Sequence, residues 1–76
     1  MSEVTIYTKN NCMQCKMTKR FLSEHEIPFV ERNINTNPEY IDQLKAQGFQ
    51  SVPVVQVSED KAIAGFRPNE LKALAM

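Results

Sequence analysis

The chain has 76 residues, of which 42% are hydrophobic and 24% charged, and its nine basic side chains balance nine acidic ones. That length fits one small domain over residues 1–76. A net charge of zero gives no field to attract nucleic acid or an anionic membrane, so neither partner is expected. No apolar run approaches the roughly 20 residues of a membrane span, and residues 1–3 have no signal-like character. We therefore expect a cytoplasmic protein.

The first two predicted elements are a strand and a helix joined by a polar turn. Apolar and polar residues alternate over residues 4–8, which favours a strand. After Lys9-Asn10-Asn11, apolar residues recur at spacings of three and four up to about His25, which predicts a helix from Met13. Its apolar positions form two rows, one of Met13, Met17 and Phe21 and the other of Cys15, Thr18 and Leu22. The exposed face is expected to carry Lys16, Lys19 and Arg20.

A second strand and a second helix are predicted after the first proline. Pro28 should break the first helix, because the residue before a proline is disfavoured in helical conformation, and residues 29–34 are predicted to form a strand. The run Asn35-Thr36-Asn37-Pro38 predicts a helix start, with Asn or Thr as the cap and Pro38 at the first helical position. Gly48 should end this helix, since glycine tolerates a positive φ.

The last third of the chain is predicted to contain two strands and a helix. Residues 52–57 should form a strand entered through Pro53, residues 58–61 a hairpin turn, and residues 62–64 a short fourth strand. The last helix should begin at Pro68, expose Glu70 and Lys72, and bury Leu71 and Leu74.

The resulting order, β-α-β-α-β-β-α, predicts an α/β fold. Strands separated by a helix are expected to pair in parallel through a right-handed crossover, and the last two strands to pair antiparallel. This gives a four-stranded mixed sheet with three flanking helices. Such an order, with a C-x-x-C motif in a β-α-β setting, is typical of the thioredoxin-like fold.

The motif Cys12-Met13-Gln14-Cys15 contains both cysteines of the chain and lies at the start of the first helix. Residues three apart on one helical turn have Cβ atoms about 5–6 Å apart, and a disulfide needs about 3.8 Å. A modest tightening of that turn lets the pair close and open again. Because a helix N-terminus favours a thiolate, we expect a reversible dithiol switch in which Cys12 is the solvent-reachable thiol and Cys15 the shielded one.

Two other interpretations of the cysteine pair stay open. The thiols could be buried and inert, or they could bind zinc. Structural zinc takes four ligands, and His25 is the only histidine that could join the two cysteines. His25 lies about three helical turns beyond them, so only a zinc ion shared between two chains remains plausible. His25 itself is expected to face solvent.

Four segments together resemble the NrdH-redoxins, and the resemblance covers essentially the whole chain. They are Thr5-Ile6-Tyr7-Thr8, residues 12–20, Gln47-Gly48-Phe49 with residues 52–55, and Gly65-Phe66-Arg67-Pro68. The resemblance implies a dithiol-disulfide oxidoreductase that thioredoxin reductase reduces and that donates electrons to class Ib ribonucleotide reductase. It also implies Cys12 as nucleophile, Cys15 as resolving cysteine, and Pro53 as a cis-proline facing the disulfide. Ile63-Ala64 stands where many members of that family have Trp-Ser.

A docking surface for partners is expected around Pro53. The main chain of Val52 would pair with an extended partner segment, and Met13 and Phe66 would add apolar contacts. Supporting roles are expected for Lys9, Gly65 and Arg67. Lys9 would add positive charge near Cys12, and Arg67 would either brace its own loop or contact a partner.

Two alternative functions remain. A glutathione-dependent glutaredoxin commonly has Pro-Tyr between its cysteines and Gly-Gly followed by Asp, where this chain has Met13-Gln14 and Gly65-Phe66-Arg67-Pro68. Phe66 and Pro68 are expected to obstruct a glutathione site. The other alternative is a redox-sensing or zinc-bridged interaction module without turnover. The main prediction is a monomer with no bound cofactor or metal, which uses NADPH only through thioredoxin reductase.

Overall fold

The computed structural model describes residues 3–58 and 61–75 and contains a four-stranded sheet with helices on both faces. The strands are β1 (Val4–Thr8), β2 (Phe29–Asn33), β3 (Val54–Gln56) and β4 (Ala62–Ala64). The helices are α1 (Met13–Glu24), α2 (Glu39–Ala46) and α3 (Pro68–Lys72), and a 3-10 turn (Ala73–Ala75) follows α3. This is the predicted order of elements. Within the described ranges, no helix is long and apolar enough to cross a membrane.

The sheet has the strand order β2-β1-β3-β4. β1 and β2 pair in parallel, from Val4 opposite Phe29 to Thr8 opposite Asn33, whereas β3 is antiparallel to both β1 and β4. The predicted parallel pairing of helix-separated strands is therefore right for β1 and β2 and wrong for β2 and β3. The reason is that α2 crosses the opposite face of the sheet and returns the chain at the free edge of β1, not beside β2.

Both faces of the sheet are covered, because successive strand residues point to opposite sides. One face packs against α1 and α3, and the other against α2. The buried residues of the first face are Val4, Ile6, Leu22, Ile27, Val55, Ile63 and Leu71. Those of the second face are Tyr7, Leu44 and Val54. The two central strands, β1 and β3, are therefore the most buried. The turn that leads to the cysteines thus starts from a buried strand.

α1 buries only one of its two predicted apolar rows. Cys15, Thr18 and Leu22 are buried, whereas Met13 is 70% and Met17 43% exposed. A helix that packs on one face of a sheet turns a single stripe toward it, so Met13 and Met17 of the second row stay near the surface, whereas Phe21 is partly buried against the core. The helix ends at Glu24, one residue before the predicted limit.

α2 begins and ends close to the predicted positions. It begins at Glu39, one residue after Pro38, and no side chain caps its N-terminus, so the predicted Asn or Thr cap is wrong. The carbonyl of Asn37 instead accepts a hydrogen bond from the Tyr40 N–H at 3.1 Å, so the main chain closes the first turn. Gly48 follows the helix with φ 90°, as predicted.

β2 and β3 are shorter than predicted, and β3 ends at Gln56, one residue before the predicted end. β2 ends one residue earlier, at Asn33, and β3 begins after Pro53, which has no N–H to donate to a neighbouring strand. Of the predicted hairpin turn, Glu59 and Asp60 lie outside the described residues. β4 and the start of α3 agree with the prediction. Leu71 is buried as expected, and Leu74 only partly.

Candidate active site

Cys12 and Cys15 form a disulfide at the N-terminus of α1, with Cα atoms 5.2 Å apart. Cys12 is the N-cap residue, and its extended backbone (φ −110°, ψ 108°) turns the side chain back over the first helical turn. There its Sγ accepts a hydrogen bond from the backbone N–H of Cys15 at 3.2 Å. The C-x-x-C spacing therefore closes the pair within a single turn.

The electrostatic surroundings of Cys12 favour negative charge on its sulfur. The first turn of α1 contains no acidic residue, so no carboxylate within that turn offsets the partial positive charge of the helix N-terminus. When the disulfide opens, a Cys12 thiolate keeps the Cys15 N–H as a donor, and hydrogen bonds to a charged acceptor are the stronger kind. Cys12 therefore has the surroundings of a reactive cysteine at the N-terminus of a helix.

The two cysteines differ in exposure. Cys12 is 8% exposed and Cys15 1%, so Cys12 is the more accessible sulfur, as predicted. Both cysteines are nevertheless buried while the disulfide is closed. Asn11, which precedes Cys12, has φ 57°, a left-handed conformation that asparagine tolerates better than most residues.

Asparagine side chains hold the turn before Cys12 to the end of β2. The Asn10 N–H donates to Asn35 Oδ1 at 2.6 Å, and Asn33 Nδ2 donates to Asn10 Oδ1 at 3.1 Å. Asn10 was predicted only as part of a polar turn, Asn33 as part of the second strand and Asn35 as part of a helix start, so these contacts were not predicted. The signal was available, since the carboxyl ends of parallel strands lie at one edge of a sheet and both β1 and β2 lead into asparagine-rich turns.

A polar cavity of about 410 Å³ opens beside the disulfide. Cys12, Cys15, Lys9, Lys16, Lys19, Glu31 and the asparagines Asn10, Asn11 and Asn33 line it. Lys9 therefore lies near the cysteines, as expected. Glu31 was not predicted as a site residue. The C-x-x-C disulfide thus has a charged wall with three lysines and one carboxylate.

Glu31 is held by two contacts. Thr8 Oγ1 donates a hydrogen bond to Glu31 Oε2 at 2.7 Å, and Lys19 Nζ lies 3.0 Å from the same oxygen. The Thr8 hydroxyl, followed by Lys19, holds the pKa of the Glu31 carboxyl below its ordinary value, against a partial burial that raises it. The carboxylate is therefore ionised at neutral pH.

We expect Glu31→Gln to remove a stabilising contribution that depends on pH. A carboxyl with a lower pKa in the folded than in the unfolded state stabilises the fold fully above the unfolded pKa, and this contribution is lost as pH falls through the folded pKa. The difference in free energy of unfolding between wild type and Glu31→Gln should thus be largest above about pH 5 and shrink on acidification. Urea unfolding at a series of pH values measures it.

Glu24→Gln is the matched control for this experiment. Glu24 pairs with Arg20 at 3.3 Å on the solvent side of α1, where the two side chains are 61% and 80% exposed. Exposed pairs of this kind contribute little, so the control should differ little from wild type at any pH. A Glu31→Gln difference that is constant or grows on acidification would contradict the assignment.

Pro53 lies where the segment before β3 meets the segment after β4. The Val52–Pro53 bond is cis, as the resemblance implied, and Pro53 is buried. Its carbonyl accepts a hydrogen bond from the Gly65 N–H at 2.8 Å. Gly65 has φ 79°, which glycine adopts without the steric cost of a Cβ atom. The two segments are therefore connected through Pro53 and Gly65.

Arg67 braces its own loop, which is one of the two predicted roles. Its Nε donates to the carbonyl of Ala64 at 3.0 Å, and its Nη1 lies 3.4 Å from Glu70 Oε2. The side chain is 63% exposed, so these contacts hold the loop at the surface of the protein.

The expected docking residues do not line the polar cavity. Phe66 packs edge-on against Phe21, with ring centroids 6.4 Å apart, and both border a second, apolar cavity of about 200 Å³ with Met17. Val52 packs against the cluster that contains Leu44. Met13 has an exposed side chain. The polar cavity beside the disulfide and this apolar cavity therefore have no lining residue in common.

His25 is exposed at the end of α1, as predicted, and stacks on Phe21 at 4.1 Å between ring centroids. Across residues 3–58 and 61–75, no group of three or more His, Cys, Asp or Glu side chains is placed to hold a metal ion.

The parallel β1-α1-β2 unit, with a C-x-x-C disulfide at the start of its helix, defines a thiol-disulfide oxidoreductase. The glutaredoxin family model matches residues 4–62. The chain is 54% identical over 72 residues to the glutaredoxin-like protein NrdH of Lactococcus lactis subsp. cremoris. These residues are 95% of this chain and 99% of that protein. The chain belongs to the glutaredoxin family and, within it, to the NrdH-redoxins.

Two further comparisons agree with this membership. The glutaredoxin-like protein NrdH of Escherichia coli K12 is 41% identical over 71 residues, which are 93% of this chain and 86% of that protein. The structure of the Escherichia coli NrdH-redoxin superposes with a TM-score of 0.87 at 40% identity and covers 96% of this chain and 95% of that one. They confirm the predicted thioredoxin-like fold and the predicted family.

Proposed function

We propose that this protein is a cytoplasmic electron carrier that thioredoxin reductase reduces and that donates electrons to class Ib ribonucleotide reductase. The observation that carries the proposal is the match, over nearly the whole chain, to the Escherichia coli NrdH-redoxin, a glutaredoxin-like protein described as having a thioredoxin-like activity profile. The proposed carrier is a monomer and has no bound cofactor or metal. NADPH supplies its electrons only through thioredoxin reductase.

In the proposed reaction, Cys12 is the nucleophile and Cys15 the resolving cysteine. The Cys12 thiolate attacks a client disulfide, so a bond forms between Cys12 Sγ and one client sulfur while the other client sulfur leaves as a thiolate. The Cys15 thiolate then attacks Cys12 Sγ and releases the second client sulfur. Two electrons pass to the client, and the Cys12–Cys15 disulfide remains for reduction by thioredoxin reductase.

The assignment of roles is supported by exposure and hydrogen bonding. Cys12 is the more exposed sulfur and is the one that receives a backbone N–H from the first turn of α1. Cys15 is 1% exposed, so a client disulfide reaches it poorly, whereas Cys12 lies within bonding distance of it.

Val52 supports the proposed docking of an extended client segment. It precedes β3, and within the described part of the chain its N–H and carbonyl make no backbone hydrogen bond. These groups can pair with a client strand. Met13, at 70% exposure, would add an adaptable apolar contact, and Phe66 would add a second one. With zero net charge, docking should depend only weakly on salt.

The match to the glutaredoxin family model favours a second candidate, in which glutathione is the electron donor. The segment Gly65-Phe66-Arg67-Pro68 argues against it. Arg67 is engaged with Ala64 and Glu70, and Phe66 is packed against Phe21. Arg67 thus already has partners within its own loop, and the apolar Phe66 has no group that could bind the charged ends of glutathione.

Two electron supplies, tested in parallel, decide between these donors. One contains NADPH and thioredoxin reductase, the other NADPH, glutathione and glutathione reductase, and insulin reduction is the readout. We expect turnover with the first supply and little with the second. Efficient reduction by millimolar glutathione, with none by thioredoxin reductase, would reject the proposed donor.

The client is tested with purified class Ib ribonucleotide reductase, thioredoxin reductase and NADPH. We expect deoxyribonucleotide formation to require this protein. A rate no higher with the protein than without it would reject the client and leave the oxidoreductase assignment intact. Zinc analysis of the purified protein tests the non-catalytic alternative, since a zinc-bridged module would contain metal and would not cycle electrons.

A further inference from the structure

As the resolving cysteine, Cys15 must become a thiolate, and its surroundings disfavour that negative charge. It is 1% exposed, and burial disfavours the charged form of a thiol. Its own backbone N–H points to Cys12 Sγ, so that donor stabilises the other sulfur. A thiolate at Cys15 therefore needs positive charge from elsewhere in the site.

Four charged side chains line the same polar cavity as Cys15. They come from every element that borders it: Lys9 from the turn after β1, Lys16 and Lys19 from α1, and Glu31 from β2. Lys19 follows Cys15 by four residues, so the two lie one above the other on the helix. Its side chain is 33% exposed and its Nζ lies 3.0 Å from Glu31 Oε2, whereas Lys16 is exposed.

We propose that Lys19 stabilises the negative charge on the Cys15 sulfur during the resolving step and that Glu31 is the positioning residue that holds Lys19 at the cavity wall. Lys19 acts on Cys15 through its charge, and Glu31 acts through Lys19. The inference rests on the proposed role of Cys15 as resolving cysteine and is independent of the electron donor and of the client.

Glu31 is not the base that takes the proton of Cys15. Its pKa is held below the ordinary carboxyl value, first by the Thr8 hydroxyl and then by Lys19, whereas thiols ordinarily have pKa values near 8.5. A carboxylate of that kind is a weak proton acceptor. Its two contacts instead make it an anchor, since Thr8 Oγ1 fixes one oxygen at 2.7 Å and Lys19 shares that oxygen.

The proposal predicts opposite changes for the two partners. The pKa of Cys15 is measured from thiolate absorbance in the Cys12→Ser chain, where Cys15 is the only thiol. Lys19→Gln should raise this pKa by about half a unit or more, because a positive charge is lost and Glu31 is left unpaired. Glu31→Gln should lower it, because Lys19 loses its anionic partner. Lys19→Arg should keep it near the parent value.

Arg20→Gln is the control, since it removes a positive charge from the next position of α1 on the solvent side, where screening should leave the Cys15 pKa within about 0.2 unit. General loosening of the helix would move the pKa in the same direction for Lys19→Gln and Glu31→Gln. Equal directions, or no change in either variant, would overturn the proposal.

A kinetic measurement with both cysteines present tests the resolving step itself. Reduced protein is mixed with 5,5′-dithiobis(2-nitrobenzoic acid). Attack by Cys12 releases one thionitrobenzoate and leaves the other bound through a disulfide, and attack by Cys15 then releases the second as Cys12–Cys15 forms. Because the second release is intramolecular, its rate does not depend on how strongly the lysines attract the free anionic reagent to the protein.

At a pH below the pKa of Cys15, Lys19→Gln should slow the second release about two- to threefold. A higher pKa lowers the fraction of Cys15 present as thiolate more than it raises the nucleophilicity of that thiolate. Glu31→Gln should accelerate it, and Arg20→Gln should leave it unchanged. An unchanged second release in both cavity variants would overturn the proposal. If the Cys12→Ser chain reacts with the reagent as fast as the Cys15→Ser chain, the resolving role fails and the proposal with it, whatever the pKa values are.

Discussion

Cys12→Ser is expected to reduce disulfide turnover by at least about 100-fold, because a serine hydroxyl cannot replace the thiolate as attacking group. Cys15→Ser is expected to retain the first attack and to stop at a mixed disulfide between Cys12 and the client. Both expectations follow from the placement of the sulfurs, with Cys12 at the N-cap and Cys15 buried in the first turn. Insulin reduction measures turnover, and intact-protein mass spectrometry detects the trapped adduct.

Alkylation of the reduced wild-type chain provides the matched test without substitution. Below neutral pH, iodoacetamide should label Cys12 before Cys15, since Cys12 is the more exposed and keeps a hydrogen-bond donor as a thiolate. Peptide mapping of partly labelled protein gives the order. Preferential labelling of Cys15, or a stable adduct formed by Cys12→Ser and not by Cys15→Ser, would reverse the assignment.

The C-x-x-C disulfide was predictable because its geometry is local. Two residues three positions apart at a helix start are close in any structure that forms the helix, and the alternation of residues 4–8 placed a strand directly before it. The position of Gly48 after α2 and of Pro68 at the start of α3 also followed from local backbone preferences.

The polar wall of the site was not predictable because it depends on pairing between distant segments. Thr8 and Glu31 are 23 residues apart. Glu31 lines the same cavity as the cysteines only because β2 pairs with β1 in one particular register, with Ile6 opposite Glu31. A shift of one residue would turn Glu31 to the other face of the sheet. The sequence shows the strand but does not specify its register.

The partition of α1 into a buried and an exposed row was ambiguous for a related reason. Both rows have helical spacing, and Met17 and Phe21 are no less hydrophobic than Cys15 and Thr18. The choice depends on the angle at which the helix lies on the sheet, and that angle is decided by tertiary packing. The structure turns Leu22 to the sheet and leaves Met13 and Met17 outside.

This choice predicts a large difference in stability between Leu22→Ala and Met17→Ala. Leu22 is fully buried, in a cluster with residues of β1, β3, β4 and α3, so its truncation should lower the free energy of unfolding by about 2–5 kcal/mol. In a domain of this size, such a loss lowers Tm by at least about 8 °C. Met17 is 43% exposed, and Met17→Ala should cost less than about 1 kcal/mol.

Urea unfolding of the two oxidised variants at neutral pH measures the difference, and both variants remove a side chain from the same helix. The Cys12–Cys15 disulfide closes too short a loop to hold α1 in place through chain entropy, so the position of the helix that carries the site depends on this packing. Equal losses in the two variants would mean that both rows of α1 are packed and that the helix lies at a different angle on the sheet.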